Sequence, residues 1–177
     1  MKVIKNCINK SNFLDLKNLV VSDNFNWFFL EDSAFGSKFK DSINYSFYHN
    51  VMLDYQVNSN FYSFVNSIAL QAKDKFNLDS YKIFRIRFGL TTSYGKEIIN
   101  KPHIDTEKKH KVILLYITNS DGNTYFYKNN KIINSITPEE NKAILFDGSI
   151  YHSSSKPIKY SKRIILNINL ENGNNKL

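Results

Sequence analysis

Cysteine is nearly absent from this sequence of 177 residues, so disulfide bridges within the chain are excluded. The one cysteine, Cys7, is interpreted as a small buried thiol, which fits a reducing, cytoplasmic setting. Long apolar runs are missing too: the longest, WFFL and VILLYI, are far shorter than a bilayer span. The first residues, MKVIKNCINKSNF, lack the apolar stretch of a secretory signal peptide. These absences predict a cytoplasmic protein that has no membrane partner.

Arginine is scarce as well, although the sequence is basic, with 24 basic residues against 16 acidic ones. Only three of the 24 are arginine: Arg85, Arg87 and Arg163. The excess of lysine, together with abundant Asn and Ile, is the composition of an AT-rich genome, so the charge does not by itself require a polyanionic partner. A nucleic-acid partner stays open, but no helix-turn-helix, zinc finger or row of aromatic residues supports it. The arginines are more informative, because each supplies a planar fork for a carboxylate.

The predicted elements place helices first and strands later. Apolar residues at helical spacing predict a helix over residues 60–76, with Asn60 as the candidate N-cap, and a shorter helix over residues 12–20. From Tyr81 onward, short segments separated by NSDGN, TPEEN and DGS predict antiparallel strands. The sequence therefore predicts one α+β domain over residues 1–177, whose β part is a double-sheet jelly roll or a related barrel.

Two predicted strands carry the arginines. In YKIFRIRFGL, alternation puts Ile83, Arg85 and Arg87 on one face and apolar residues on the other. In RIILNINL, Arg163 begins the strand and shares its face with Asn167. Arg163 is a candidate clamp for a carboxylate; its alternative is a surface cation in the basic stretch KPIKYSKR.

A histidine and an aspartate lie two residues apart in NKPHIDTEKKHKVILLYI. In extended chain His103 and Asp105 point to the same side and can reach one metal ion. The candidate third ligand is His152, after an apolar strand and a tight turn, whereas His110 is interpreted as part of a solvated basic turn and His49 as a packed or half-exposed residue. Two histidines and one carboxylate form the facial triad typical of non-haem Fe(II), although the same residues would also suit a zinc hydrolase.

Taken together, these residues resemble the 2-oxoglutarate/Fe(II)-dependent oxygenases, and within them the prolyl 4-hydroxylase-like branch. The family pattern is His-x-Asp, a distal histidine and then a basic residue, which corresponds here to HID at 103–105, His152 and Arg163. LLYITN, which contains Tyr116, resembles the strand after His-x-Asp, and FDGSIYHSS resembles the turn into the distal histidine. The resemblance covers about residues 83–170, but DGNT stands where the family has Gly-Gly.

The resemblance implies a fold, cofactors and residue roles. The fold would be a double-stranded β-helix, or jelly roll, with supporting N-terminal helices. Fe(II) would be the metal, 2-oxoglutarate and O2 the cosubstrates, and substrate hydroxylation with release of succinate and carbon dioxide the reaction. The metal ligands implied are His103, Asp105 and His152. The cosubstrate contacts implied are Arg163, Tyr116 and Asn167.

The substrate is less constrained. The branch favours a prolyl or other protein side chain, with Arg85 and Arg87 as substrate-site residues and Tyr94, in TTSYGKEIIN, as a lid residue. A small molecule or a nucleic acid is the alternative substrate, and a catalytically silent jelly-roll binding module is the alternative class of protein. A basic rim on both sides of the metal strand would suit an acidic peptide or a nucleic acid: Lys108, Lys109, His110, Lys111, Lys156, Lys159 and Lys162.

Overall fold

The computed structural model describes residues 1–31 and 45–173, and this part of the chain contains two helices and eleven strands. The helices are α1 (Lys10–Val21) and α2 (Tyr62–Lys75). The strands are β1 (Lys2–Ile4), β2 (Phe28–Leu30), β3 (Ser46–Leu53), β4 (Gln56–Val57), β5 (Tyr81–Thr92), β6 (Lys111–Tyr116), β7 (Thr124–Lys128), β8 (Lys131–Ile136), β9 (Ala143–Asp147), β10 (His152–Ser154) and β11 (Lys162–Asn172). Strands β1 to β4, which lie before or between the helices, were not among the predicted elements.

The strands form two antiparallel sheets. The larger sheet has the order β1-β9-β6-β11-β5-β3-β2, with β4 beside β3, and the smaller sheet has the order β10-β7-β8. Within residues 1–31 and 45–173, neither sheet closes on itself. The predicted α+β jelly roll is therefore confirmed in its open, two-sheet form.

The larger sheet lies between the helices and the smaller sheet. Successive residues of its strands point to opposite faces, so each strand contributes to a core on both sides. On one face, Ile113 and Leu115 of β6 belong to a core that includes residues of α1 and α2. On the other face, Leu114 of β6 belongs to a second core with Phe126 of β7. The Phe146 ring of this second core lies 5.0 Å from the His152 ring, so the apolar layer between the sheets ends at the predicted metal site.

Both predicted helices are present, with small differences at their ends. Asn9 caps α1, since its side chain accepts a hydrogen bond from the Asn12 N–H at 2.8 Å. The prediction that Asn60 caps α2 is wrong: Phe61 holds the N-cap position, and its N–H donates to Ser59 Oγ at 3.1 Å. Neither helix in the described residues has the length and apolar run that a membrane span needs.

Strand β5 does not alternate over its whole length. Its register against β11 pairs Arg85 with Asn169 and Ile83 with Leu170, so Phe84 forms a β-bulge. The bulge moves Ile83 to the face that packs against the helix-side core, whereas Arg85 lines the opposite face. The prediction that Ile83 shares the face of the arginines is therefore wrong.

Cys7 is fully buried in the helix-side core. Burial raises the pKa of its thiol to about 11 and outweighs the opposite effect of Lys75. The predicted buried thiol is confirmed, and at neutral pH it is protonated.

Candidate active site

His103 and His152 face each other across an antiparallel bridge. The N–H of each donates to the carbonyl of the other, and both distances are 2.9 Å. Directly opposed residues of an antiparallel pair point to the same face, and here the ring centroids are 4.9 Å apart. The backbone thus brings together two histidines that are far apart in the sequence.

Backbone carbonyls orient both imidazoles. His152 Nδ1 lies 3.0 Å from the carbonyl oxygen of Ile150, and His103 Nδ1 lies 3.3 Å from that of Lys101. Because a carbonyl only accepts hydrogen bonds, Nδ1 carries the proton in each ring and Nε2 keeps its lone pair. This is the tautomer that binds a metal through Nε2.

Asp105 is held in a polar network on the larger sheet, and only 6% of its side chain is exposed. Its Oδ2 accepts hydrogen bonds from Asn169 Nδ2 at 2.8 Å and from Asn167 Nδ2 at 3.0 Å. Its Oδ1 lies 3.4 Å from Arg85 Nη1, which also donates to Asn169 Oδ1 at 3.0 Å. Side chains from β5 and β11 therefore fix the orientation of this carboxylate.

The charges in the site keep these groups in the states that a metal requires. Burial alone would raise the pKa of Asp105, but Arg85, His152 and the two asparagine donors hold it well below its usual range. Burial also lowers the pKa of His152, and the nearby Asp105 opposes this effect only in part. At neutral pH the site therefore presents a carboxylate and a neutral His152 imidazole, the forms that bind divalent cations.

The three predicted ligands fit a divalent metal. One candidate donor atom from each of His103, Asp105 and His152 lies within 4.8 Å of the other two. Two imidazole nitrogens and one carboxylate oxygen suit non-haem Fe(II), which keeps further positions open, and also zinc. These three ligands do not distinguish Fe(II) from zinc. The other residues of the cavity are therefore needed to identify the metal.

A cavity of about 130 Å³ opens onto the triad, between β11, β5 and β3 on one side and β10 on the other. Its apolar lining includes Leu30, Phe47 and Ile165. Its lining also includes, among the described residues, the following charged side chains: Arg85, Arg87, Arg163 and Asp105. All three arginines of the protein thus meet in one cavity.

Arg163 is buried in this cavity, with 4% of its surface exposed, so the alternative of a surface cation is wrong. Its Nη2 donates to Thr124 Oγ1 at 2.8 Å, whereas its Nε is buried and has no hydrogen-bond partner among the described residues. Gly122, in the DGNT turn, packs close by: a Cβ there would lie 2.6 Å from the Ser155 carbonyl oxygen and 3.2 Å from Arg163 Cδ. A buried guanidinium with an unsatisfied N–H suits an anionic ligand.

Tyr116, predicted to contact the cosubstrate, lies outside the cavity lining. Its ring is fully buried, 5.7 Å from Arg163 Cζ, and its hydroxyl donates to Thr124 Oγ1 at 2.8 Å. Thr124 lines the cavity and accepts hydrogen bonds from both Tyr116 and Arg163, and the contact of Tyr116 with the cosubstrate stays a prediction. The sequence contains no signal for Thr124, because its place depends on the DGNT turn that precedes β7.

Two residues that were predicted to contact the cosubstrate or the substrate bind Asp105 in the structure. Asn167, predicted at the cosubstrate, lines the cavity but donates to Asp105, and its own Oδ1 is buried with no hydrogen-bond partner in the described chain. Arg85, predicted at the substrate, forms the ion pair with Asp105. Asn169 was not predicted as a site residue, although alternation along β11 places it on the same face as Asn167 and could have identified it.

Arg87 lines the cavity, and its role as a substrate-site residue stays a prediction. Its guanidinium lies over the Tyr48 ring, with Cζ 4.6 Å from the ring centroid. Burial, followed by the nearby charge of Arg85, lowers the pKa of Arg87 to about 10, so Arg87 is still charged at neutral pH.

Several predicted surface groups differ in position. Tyr94 is exposed and outside the cavity lining, so its position gives no support to a lid role. His110 is buried, so the solvated turn is wrong, whereas His49 is packed among aromatic rings as interpreted. Lys156 is buried and donates to the carbonyl of Tyr45 at 3.0 Å. His110 and Lys156 therefore do not belong to a basic rim.

Comparisons with known proteins find similarity in structure alone. No protein-family profile and no curated protein matches the sequence. A 2OG-Fe(II) oxygenase family oxidoreductase from Burkholderia pseudomallei superposes with a TM-score of 0.75 at 10% identity, over 96% of this chain and 84% of the other. A Trichoplax adhaerens prolyl hydroxylase, in complex with a hypoxia inducible factor peptide, gives 0.64 at 12% identity, over 97% and 83%.

The non-heme alpha ketoglutarate dependent epimerase SnoN from nogalamycin biosynthesis gives a TM-score of 0.63 at 11% identity, over 96% of this chain and 76% of the other. The same fold thus supports a hydroxylase and an epimerase. The similarity extends over nearly all of this chain in each case. The protein therefore has the jelly-roll fold of the 2-oxoglutarate/Fe(II)-dependent oxygenases.

Proposed function

We propose that this protein is an Fe(II)- and 2-oxoglutarate-dependent dioxygenase that hydroxylates its substrate and releases succinate and carbon dioxide. The observation that carries the proposal is the buried Nε–H of Arg163, which has no hydrogen-bond partner in the described part of the chain and lies in the same cavity as the three candidate metal ligands. A dicarboxylate that chelates the metal through one end needs a cation for its other end. A zinc hydrolase has no such requirement. The shared fold supports the proposal.

Bound Fe(II) would supply the activation of O2 coupled to oxidative decarboxylation of 2-oxoglutarate, with one oxygen atom passing to the substrate and the other to succinate. His103, Asp105 and His152 would hold the metal from one side and leave the remaining positions to the cosubstrates. Arg163 would bind the far carboxylate of 2-oxoglutarate, with Thr124 beside it. The side chains around the cavity would orient both substrates and limit the access of water.

The proposed substrate is a prolyl or other protein side chain, acted on by one oxygenase domain over residues 1–177 in the cytoplasm. The prolyl hydroxylase that binds a peptide supports this choice through its fold. The epimerase with the same fold makes a small molecule the alternative. A panel of peptides, free amino acids and oligonucleotides separates these classes, because only the right class gains the mass of one oxygen atom while succinate is released.

The proposed clamp is tested by anaerobic titration of 2-oxoglutarate into the Fe(II)-loaded protein. Arg163→Lys keeps the charge but loses the fork, so we expect about 10- to 100-fold weaker binding, since charged hydrogen bonds contribute about 1.5–3 kcal/mol. Arg163→Ala should lose more. The control is Lys162→Gln, which removes an exposed charge next in sequence and should bind 2-oxoglutarate like the parent.

Fe(II) affinity without 2-oxoglutarate should be similar in all four proteins, because neither Arg163 nor Lys162 is a metal ligand. A parent that binds no 2-oxoglutarate, or an Arg163→Ala variant that binds it normally, contradicts the proposed function. Zinc-dependent hydrolysis, or metal binding without turnover, would then favour a hydrolase or a silent binding module.

A further inference from the structure

We infer that the substrate carries an anionic group, a carboxylate or a phosphate, which Arg87 binds close to the metal. This inference rests on the proposed function and adds to it the charge of the substrate. Three observations support it: the net charge of the cavity lining, the position of Arg87 along the sheet, and the contacts that distinguish Arg87 from Arg85.

The described lining of the cavity is positively charged. It contains three guanidinium groups, on Arg85, Arg87 and Arg163, and one carboxylate, on Asp105. With neutral imidazoles, these groups give the lining a net charge of +2. Fe(II) and the 2-oxoglutarate dianion cancel each other, so the loaded site would keep this charge. A partly buried cavity whose described lining is positively charged attracts an anionic group.

Arg87 lies at the metal end of the cavity. Across the larger sheet it is in register with Asn167 of β11 on one side and Asn50 of β3 on the other. Asn167 donates to Asp105, whereas Arg163 is four residues away along β11, a distance of about 13 Å. The far carboxylate of 2-oxoglutarate is proposed at Arg163 and its near carboxylate at the metal, so an additional anion held by Arg87 in the loaded protein would belong to the substrate.

The two arginines of β5 make different contacts. Arg85 binds Asp105 and Asn169, so its guanidinium helps to position a metal ligand. Arg87 has its guanidinium face on the ring of Tyr48, and stacking of this kind fixes the plane of the group. A carboxylate or phosphate binds a guanidinium at its edge, so stacking on Tyr48 is compatible with binding an anion.

The inference is tested on the Fe(II)- and 2-oxoglutarate-loaded protein under anaerobic conditions at constant ionic strength. The probes are acetate, inorganic phosphate and acetamide, which resembles acetate in size but is neutral. Paramagnetic relaxation of the probe nuclei by Fe(II) reports binding beside the metal and ignores binding to the distant basic surface. We expect acetate or phosphate to bind the parent and acetamide not to bind, and the tighter anion identifies the substrate group.

Arg87→Gln should weaken the binding of these anions at least about tenfold, because it removes a charged hydrogen-bond donor pair. Arg87→Lys, which keeps the charge, should lose less. Lys162→Gln removes the same charge from an exposed position and should bind the anions like the parent. An unchanged affinity for 2-oxoglutarate in each variant shows that any loss is local, and Arg87→Lys provides the comparison if Arg87→Gln does not fold.

The possible failures are distinguishable. A parent that binds acetamide as well as it binds the anions overturns the inference and leaves the proposed function intact. The same conclusion holds if the Arg87 variants bind the anions like the parent. A parent that does not bind 2-oxoglutarate overturns both the proposed function and the inference.

Discussion

Replacing Asn169 with alanine tests whether the network around Asp105 prepares the metal site. The variant loses the 2.8 Å hydrogen bond from Asn169 to Asp105 and the acceptor at 3.0 Å for Arg85. A hydrogen bond to a charged group contributes about 1.5–3 kcal/mol, and about 1.4 kcal/mol corresponds to tenfold in affinity. We therefore expect Asn169→Ala to weaken Fe(II) binding by about 10- to 100-fold, as is typical of residues that orient a metal ligand.

The assay is anaerobic competition for Fe(II) with a chromophoric chelator, at several pH values between about 6 and 8. The pKa of Asp105 lies well below its usual range in the parent, so its charge is lost only as the pH falls far below about 3.9. The variant should raise this pKa toward the usual value, which still leaves the carboxylate ionised in the assay. The loss in affinity should therefore be nearly independent of pH.

The matched control is Asn134→Ala, which removes an asparagine from the exposed strand β8. It should bind Fe(II) like the parent. An Asn169→Ala variant with parental affinity would refute the role of the network. So would an equal loss in the Asn134 control, because the effect would then be general. A loss that appears only at low pH would show that Asn169 controls the ionisation of Asp105 and not its orientation.

Three other buried groups lead to separate predictions. Gly148→Ala should cost about 1–3 kcal/mol in denaturant unfolding, because the added Cβ would overlap the His110 imidazole; an unchanged midpoint would contradict this packing. Cys7 should resist a thiol reagent at pH 8 until the protein is unfolded, because burial raises its pKa to about 11. The metal-free protein should lose up to about 1.4 kcal/mol of stability per pH unit below about pH 6.5, because unfolded His152 takes up a proton while burial lowers its folded pKa. His152→Gln should remove that part of the pH dependence.

Alternation along strands was the most reliable guide to the site. It placed His103 with Asp105 and Arg163 with Asn167, because a period of two depends only on extended backbone. The third ligand, His152, could not be identified in this way, since its approach to His103 needs a bridge between distant segments. It was chosen over the other histidines from its position after an apolar strand and a tight turn, and the family resemblance supported that choice.

Contacts that depend on turn geometry or register could not be predicted. Thr124 of β7 lines the cavity and accepts hydrogen bonds from both Arg163 and Tyr116. His110 is buried, and the turn after β9 has Gly148 at a position where any side chain would overlap the His110 ring. Each of these outcomes depends on a few ångströms of backbone placement, and composition and spacing carry no information at that scale.

Strand β11 joins the two ends of the site. Its cavity face carries Arg163 at one end and the asparagines that hold Asp105 at the other, about 13–20 Å apart. Its opposite face buries Ile164, Leu166 and Ile168 in the helix-side core. A slip of one residue would exchange the two faces, exposing apolar side chains that each contribute about 1.5–3 kcal/mol when buried and burying Arg163 against the helices. The packing of the core therefore keeps the proposed carboxylate clamp and the asparagines around Asp105 on the cavity face, and substitutions in the apolar face of β11 should disturb both together.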